Sequence, residues 1–199
     1  MRISRIGLLG AAAVALVLMA VARPALAGTP AIGAAAPDFQ LTTLDGKAFT
    51  LSKTAAGQNA TVLMFIATKC PYSNAYNDRM RDMAEAYRGK GVLFVGINSN
   101  KTEPAQEALA HAKTNRHTFP IMKDPDNKVA DLYDAKRTPE IFVVDKQGKV
   151  VYHGRIDENH ENPSGVTSPD LKNALDAMLA GKPVERAETK AFGCTIKRV

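Results

Sequence analysis

The sequence contains two cysteines, Cys70 and Cys194, whose thiols can act as nucleophiles or form a disulfide. Cys70 follows an apolar run typical of a buried strand and precedes Pro71, which suits the first turn of a helix. The unpaired amides and partial positive charge at a helix start stabilise a thiolate, and Lys69 is expected to lower the pKa of this thiol further. Cys70 is therefore the predicted nucleophile. The alternative is a buried structural cysteine.

Cys194 lies in a C-terminal tail, residues 184–199, that shows little apolar periodicity. Three roles remain open for this thiol. It can resolve an oxidised Cys70, form a permanent bridge that pins the tail, or pair with another molecule. A mobile tail that docks in one redox state would deliver a resolving thiol.

The N-terminal residues 1–27 have the form of a secretory signal peptide. Arg2 and Arg5 precede an apolar run over residues 6–22, and the segment ends in the A-x-A pattern of Ala25 and Ala27. Cleavage after Ala27 leaves 172 of the 199 residues and lowers the net charge from +6 to +3, which does not favour a nucleic-acid role. The sequence thus predicts export, to the periplasm, with no membrane association after cleavage. The alternative is an uncleaved membrane anchor.

The remaining chain predicts one α/β domain over residues 28–183, followed by the tail. A hairpin is expected around the turn at Asp45 and Gly46, and two buried strands joined by a helix predict a parallel pair. A later hairpin adds antiparallel strands, so the prediction is a central mixed β-sheet flanked by helices. The predicted strands span residues 61–66, 92–97, 141–145 and 150–156, and the predicted helices span 71–88, 103–114 with Thr102 as N-cap, and 169–180.

Three segments resemble those of thioredoxin-like redoxins. Residues 65–73 (FIATKCPYS) resemble the F-W-A-T-W-C-P-x-C segment, residues 36–41 (APDFQL) the N-terminal hairpin, and residues 138–145 (TPEIFVVD) the T-P-x-x-F-x-I-D segment. The chain thereby resembles the AhpC/TSA and TlpA-like superfamily. It is most similar to a peroxiredoxin-like subgroup with one active-site cysteine and a C-terminal G-C-x-I-K motif, here residues 193–197.

The resemblance implies a thioredoxin-like fold with an N-terminal β-hairpin extension. It also implies a cis proline at Pro139 that faces Cys70, and backbone groups of Thr138 that pair with an extended thiol substrate. A trans proline that opens a strand is the alternative. Ser73 stands where C-x-x-C proteins have their second cysteine, so Cys194 is the only intramolecular candidate for a resolving thiol.

The sequence departs from the peroxiredoxin signature, because Leu63 and Ala67 occupy its Pro and Thr positions. A peroxidase needs donors that orient the peroxide, and we expect such donors from Thr68, Lys69 or Arg137. The predicted substrate-positioning residues are thus the following: Thr68, Lys69, Pro71, Ser73, Thr138 and Pro139.

The prediction is an exported thiol-dependent oxidoreductase, acting by thiol-disulfide exchange or as a thiol peroxidase. Its partners would be a thiol or disulfide protein or a peroxide, together with an external thiol reductant, and no cofactor is expected. The alternative is a non-catalytic thioredoxin-fold binding or scaffold module, with a structural Cys70–Cys194 bridge or a soft metal on Cys70.

Residues outside the two cysteines predict no metal site. The four histidines lack metal-ligand spacing; they are His111, His117, His153 and His160. We expect Asp157 to lie in a solvated loop, Glu140 to be a solvated edge-strand residue, and His153 to be on the surface.

Overall fold

The computed structural model describes residues 28–199, so the predicted signal peptide lies outside the described residues. A five-stranded mixed sheet forms the centre, in the order β5-β4-β3-β7-β8. These strands are β3 (Ala60–Phe65), β4 (Val92–Asn98), β5 (Ile121–Lys123), β7 (Glu140–Asp145) and β8 (Val150–Gly154). Two short sheets accompany it, formed by β1 (Gln40–Thr42) with β2 (Ala48–Thr50) and by β6 (Arg137–Thr138) with β9 (Cys194–Thr195).

Strand β3 runs through the middle of this sheet because all six of its residues are apolar or small enough to be buried on both faces. It pairs in parallel with β4 and antiparallel with β7. The predicted parallel pair, the later hairpin and the mixed sheet are therefore confirmed. Apolar side chains fill both faces of the sheet.

Within residues 28–199, six α-helices surround the sheet: α1 (Leu51–Ala55), α2 (Pro71–Ala75), α3 (Asn77–Arg88), α4 (Ala105–Thr114), α5 (Lys128–Leu132) and α6 (Asp170–Leu179). The single helix predicted over residues 71–88 is instead α2 and α3, with a break at Tyr76. The Tyr76 hydroxyl donates to buried Asp157 at 2.7 Å, and this long-range bond accompanies the departure from a continuous helix.

The N-terminal hairpin is present as predicted, with Gly46 in the turn at φ +86°, a conformation that favours glycine. Helix α4 begins two residues later than predicted. Pro104 is its N-cap and Thr102 does not cap it, because the intervening Glu103 turns inward to bind backbone amides near Cys70.

The C-terminal tail is docked against the domain while both thiols are free. Thr189 pairs with His153 on β8, where the close approach is permitted by Gly154. Further on, β9 pairs antiparallel with β6, and the Ile196 side chain is only 3% exposed. Within residues 28–199, no helix is both long and apolar enough to cross a membrane.

Candidate active site

Cys70 lies at the point where β3 has ended and α2 begins. It is the N-cap of α2, with Pro71 in the first turn, and its Sγ accepts a hydrogen bond from the Ser73 amide at 3.4 Å. The Cys70 thiol donates to the Thr138 carbonyl oxygen at 3.1 Å, and the peptide bond between Thr138 and Pro139 is cis. The side chain of Cys70 is only 3% exposed.

The second cysteine lies against the first. Cys194 is the direct partner of Thr138 in the antiparallel pair of β6 and β9, so the tail occupies the position that an extended substrate was predicted to take. Both thiols are free, and the contact between the two side chains lowers the pKa of Cys70 and raises that of Cys194. Gly193 permits this approach, since a Cβ there would collide with the Thr138 carbonyl group.

The two thiols differ in acidity. Burial raises the pKa of the Cys70 thiol, but contacts with the Cys194 and Thr138 side chains and with the Ser73 amide outweigh burial, and the pKa is lowered overall. Burial raises the pKa of Cys194 to about 11, and the contact with Cys70 contributes in the same direction. The pair therefore favours a thiolate on Cys70 and a protonated thiol on Cys194.

Ser73 replaces a second active-site thiol and has a structural contact of its own. Its hydroxyl accepts a hydrogen bond from the Ala67 amide at 3.1 Å, and its side chain is buried. Ser73 thereby ties the segment that leaves β3 to the first turn of α2. That tie fixes the backbone on both sides of Cys70.

Three side chains predicted to donate hydrogen bonds at the thiol have other partners. Lys69 Nζ lies 2.9 Å from a Glu107 carboxylate oxygen and donates to the Thr102 carbonyl oxygen, and the Thr68 hydroxyl also donates to Glu107. The leading contacts that shift the pKa of Cys70 do not include Lys69, whose exposed ammonium group is paired with Glu107. Arg137 binds the tail instead.

Glu103 was missed by the sequence analysis. Its buried carboxylate accepts four hydrogen bonds: from the amides of Thr68 and Lys69 at 2.8 and 3.0 Å, and from the side chains of Asn98 and Asn100 at 2.6 and 3.1 Å. Buried charges require such partners. A polar run directly after the buried strand β4 was the available signal, since sites form at strand ends.

The same polar cluster reaches the tail. Asn100 donates to Glu103 and, through its amide oxygen, accepts from the Lys197 backbone amide at 2.7 Å. The Lys101 amide donates to the Lys197 carbonyl oxygen at 2.8 Å. Glu103 thus connects the loop that carries Cys70 to the segment that carries Cys194.

Glu140 and His153 support the other side of the site, and both differ from prediction. Glu140 is 5% exposed and accepts from the Lys136 and Arg137 amides at 2.7 and 2.8 Å. Its second oxygen is 2.8 Å from His153 Nε2, whose ring stacks on Phe142 at 4.2 Å. Glu140 is buried and His153 is only partly exposed. Together they hold the turn that leads into β6.

An aromatic cluster formed by Tyr72, His160 and Phe192 lies beside Cys194. The Tyr72 and His160 rings are 4.4 Å apart, and Tyr72 meets Phe192 edge to face at 6.1 Å. Asp157, predicted to be solvated, is buried and paired with Arg79 at 2.7 Å. Arg79 also binds the carbonyl oxygens of Asn159 and His160, which fixes the loop beneath the cluster.

Among residues 28–199, no group of three or more metal-ligating side chains converges. His111 contacts Asn74 at 2.8 Å and His117 contacts Asn77 at 3.2 Å, so both rings have hydrogen-bond partners on the helices that follow Cys70. Burial lowers the pKa of His117 to about 4. These contacts are typical of packed, neutral histidines.

Comparison with known proteins yields one family and several named relatives. Residues 32–153 match the AhpC/TSA family. The thiol-disulfide oxidoreductase ResA of Bacillus cereus is 32% identical over 120 residues, which is 60% of this chain and 67% of the relative. An uncharacterized conserved protein from Geobacillus kaustophilus is 34% identical with a TM-score of 0.80, over 90% of this chain and 98% of that one. A putative thiol:disulfide interchange protein DsbE from Chlorobium tepidum is 25% identical with a TM-score of 0.64, over 76% and 99%.

Proposed function

The chain belongs to the AhpC/TSA family and is a thiol-dependent oxidoreductase, and from this premise we propose that it exchanges thiols and disulfides through Cys70 and Cys194. Cys70 is the nucleophile and Cys194 the resolving thiol. The observation that carries the proposal is the pairing of Cys194 with Thr138, which sets the two thiols side by side. Its substrates are disulfides, as the names of its relatives suggest.

The proposed cycle has two exchanges that reduce the substrate, followed by reduction of the chain. The Cys70 thiolate attacks a substrate disulfide, whose S–S bond breaks, and one substrate sulfur leaves as a thiolate while a mixed disulfide forms. Cys194 then attacks Cys70 Sγ, its proton passes to the departing second substrate sulfur, and the Cys70–Cys194 disulfide forms. The substrate gains two electrons and the chain loses two, which an external thiol reductant restores.

Residue environments favour disulfide exchange over peroxide reduction. A peroxidase requires donors aimed at the oxygen that leaves, whereas Thr68 and Lys69 are bound to Glu107 and Arg137 is bound to Gly193 and Thr195. Once β9 has moved off Thr138, Thr138 and Pro139 would position the substrate sulfur, and Ser73 and Pro71 would hold the helix start beneath it. We also propose export, which rests on the signal-like sequence of residues 1–27.

The test is the reaction of the reduced protein with glutathione disulfide, followed by intact mass and peptide mapping. We expect a loss of two hydrogens mapped to Cys70 and Cys194, with two glutathione molecules released. Cys194→Ser should stop at a glutathione adduct on Cys70, Cys70→Ser should give no bridge, and the control Ser164→Ala, at an exposed serine, should behave as wild type. A protein inert to glutathione disulfide but oxidised within seconds by one equivalent of hydrogen peroxide would contradict the assignment and favour a peroxidase.

A further inference from the structure

The two sulfurs of the site differ in their access to solvent. Cys70 is 3% exposed, with the Ser73 amide and the Thr138 carbonyl against its Sγ. Cys194 lies on the outer strand β9 and is half-buried. The tail itself covers Cys70, so Cys194 is the sulfur that an external molecule meets first.

The tail is held over Cys70 by contacts on both sides of Cys194, and these contacts do not depend on a disulfide. Before it, the Thr189 amide donates to the His153 carbonyl oxygen at 3.0 Å. After it, Ile196 is buried and its amide donates to the Lys136 carbonyl oxygen at 3.1 Å. Since these contacts exist while both thiols are free, we expect them to persist when the thiols are joined.

The direction of attack distinguishes the two sulfurs further. In thiol-disulfide exchange, the incoming thiolate, the attacked sulfur and the leaving sulfur lie in line, so the nucleophile approaches from the side opposite the leaving sulfur. An attack on Cys70 needs open space at a sulfur that is 3% exposed and already contacts the Ser73 amide and the Thr138 carbonyl oxygen. An attack on Cys194 is less hindered, because Cys194 is only partly buried.

The acidities of the two thiols favour the same direction. Exchange is faster when the sulfur that leaves has the lower pKa. The pKa of Cys70 is lowered by its contacts, whereas burial and the neighbouring Cys70 raise the pKa of Cys194 to about 11. Attack at Cys194 expels the better leaving group, which is the Cys70 thiolate.

We infer that the external thiol reductant enters the oxidised site at Cys194 Sγ. Its thiolate forms a bond to Cys194, the Cys70–Cys194 bond breaks, and Cys70 leaves as a thiolate. A second thiol of the reductant then attacks the reductant sulfur of this mixed disulfide and releases Cys194 as a thiol, so that the reductant loses two electrons and becomes a disulfide. The inference rests on the proposed function, because it requires the Cys70–Cys194 disulfide as its starting state.

The surface around Cys194 indicates what kind of reductant it fits. Tyr72, 36% exposed, and Phe192 provide an aromatic rim. Arg137 donates to Gly193 and Thr195 on either side of the cysteine, and Lys197 follows it. An apolar rim with two cations suits a dithiol protein that presents its thiolate on an apolar surface.

The experiment uses the oxidised protein and glutathione as the thiol probe. Intact mass first establishes the bridge; the protein is then mixed with excess glutathione, quenched with acid within seconds, alkylated with N-ethylmaleimide and mapped. We expect glutathione on Cys194 and maleimide on Cys70, with at least a tenfold preference. Absence of the bridge would overturn both this inference and the proposed function. A bridge followed by glutathione on Cys70, or evenly on both sulfurs, would overturn this inference alone.

A pair of tail variants tests whether the docked tail causes the preference. Ile196→Asn replaces a buried anchor with a polar group, while the control Val199→Asn makes a polar change at a residue that is 70% exposed. Loss of the buried side chain should shift the open population of the tail by about tenfold or more. We expect the preference for Cys194 to fall by that factor in Ile196→Asn and to persist in Val199→Asn. An unchanged preference in a folded Ile196→Asn protein would contradict the role of the tail.

Discussion

Gly193→Ala should separate the two cysteines without removing either one. Gly193 has φ +131°, and a Cβ at this position would lie 3.0 Å from the Thr138 carbonyl carbon and 3.2 Å from Tyr72 Cβ, closer still to the Thr138 oxygen. That oxygen belongs to backbone that is paired with Cys194, so it cannot rotate away as a flexible side chain would. The tail strand must therefore move away from β6.

The expected magnitude follows from what this movement breaks. Two residue pairs join β6 to β9, and each backbone hydrogen bond contributes about 0.5–1.5 kcal/mol net. An alanine held at positive φ costs on the order of 1 kcal/mol more. The total of about 2–4 kcal/mol corresponds to roughly a 30- to 900-fold lower effective concentration of Cys194 at Cys70.

The assay is the equilibrium between the Cys70–Cys194 disulfide and a glutathione redox buffer, which measures this effective concentration directly. Gly181→Ala is the matched control, because Gly181 has φ +67° but nothing within 4 Å of its would-be Cβ. The control thus carries the backbone cost without the collision. Equal disulfide stability in the two variants would refute the reasoning that the Gly193 contact sets the approach of the thiols.

Three further predictions concern charges and protons. Glu103→Gln should lower the free energy of unfolding in urea by about 2–4 kcal/mol, because an amide cannot accept all four hydrogen bonds. The control Glu107→Gln, at an exposed ion pair, should lower it by less than about 1 kcal/mol, and equal losses would contradict the role of the buried carboxylate. The pH at which the alkylation rate of Cys70 is half-maximal should lie below the pKa of an ordinary thiol, about 8.5. Cys194→Ala should raise this midpoint because Cys70 loses the contact with Cys194, and an unmoved midpoint would argue against that contact. The pKa of His117 is 6.5 in the unfolded chain and about 4 in the folded protein, so the unfolded chain binds the proton first as the pH drops. The free energy of unfolding should therefore fall by about 1–2 kcal/mol between these pH values, after allowance for partial exposure. His117→Gln should flatten that part of the pH profile of thermal stability, and an unchanged slope would assign the loss to other groups.

The sheet and the position of Cys70 were predictable because local patterns specify them. Six consecutive buried residues mark β3, and Pro71 marks the helix start that follows. The hairpin was predictable for the same reason, since Gly46 at the turn adopts the positive φ that glycine favours. In each case the signal and the structure lie within a few residues of each other.

Side-chain partners were less predictable because tertiary contacts select them. Lys69 is adjacent to Cys70 in sequence, yet its ammonium group binds Glu107, which α4 brings into range. Glu103 and Glu140 resemble surface residues by type, but each is buried where several backbone amides converge. No local pattern indicates which amides will lack a backbone partner after folding.

The tail docks through contacts between residues that are far apart in the sequence, such as the pair of Thr138 and Cys194. The role of the G-C-x-I-K motif is therefore clear only in the structure. Along an extended strand, alternate side chains point to opposite sides. Cys194 and Ile196 therefore face the domain, and Thr195 between them is exposed. Gly193 allows the strand to approach Thr138, Ile196 anchors it, and the Lys197 amide binds Asn100.

Under the proposed function, this arrangement lets a distant cysteine take the role that a neighbour on the same helix has in a C-x-x-C site. In a C-x-x-C site the helix turn brings the two thiols together, whereas here Ser73 uses that position to hold the Ala67 amide. The cost of ordering the tail is met by burial of Ile196 and by the bonds around it, which exist before any disulfide forms. In the proposed cycle, the resolving thiol therefore also covers the nucleophile, so access to Cys70 and its resolution depend on the same strand.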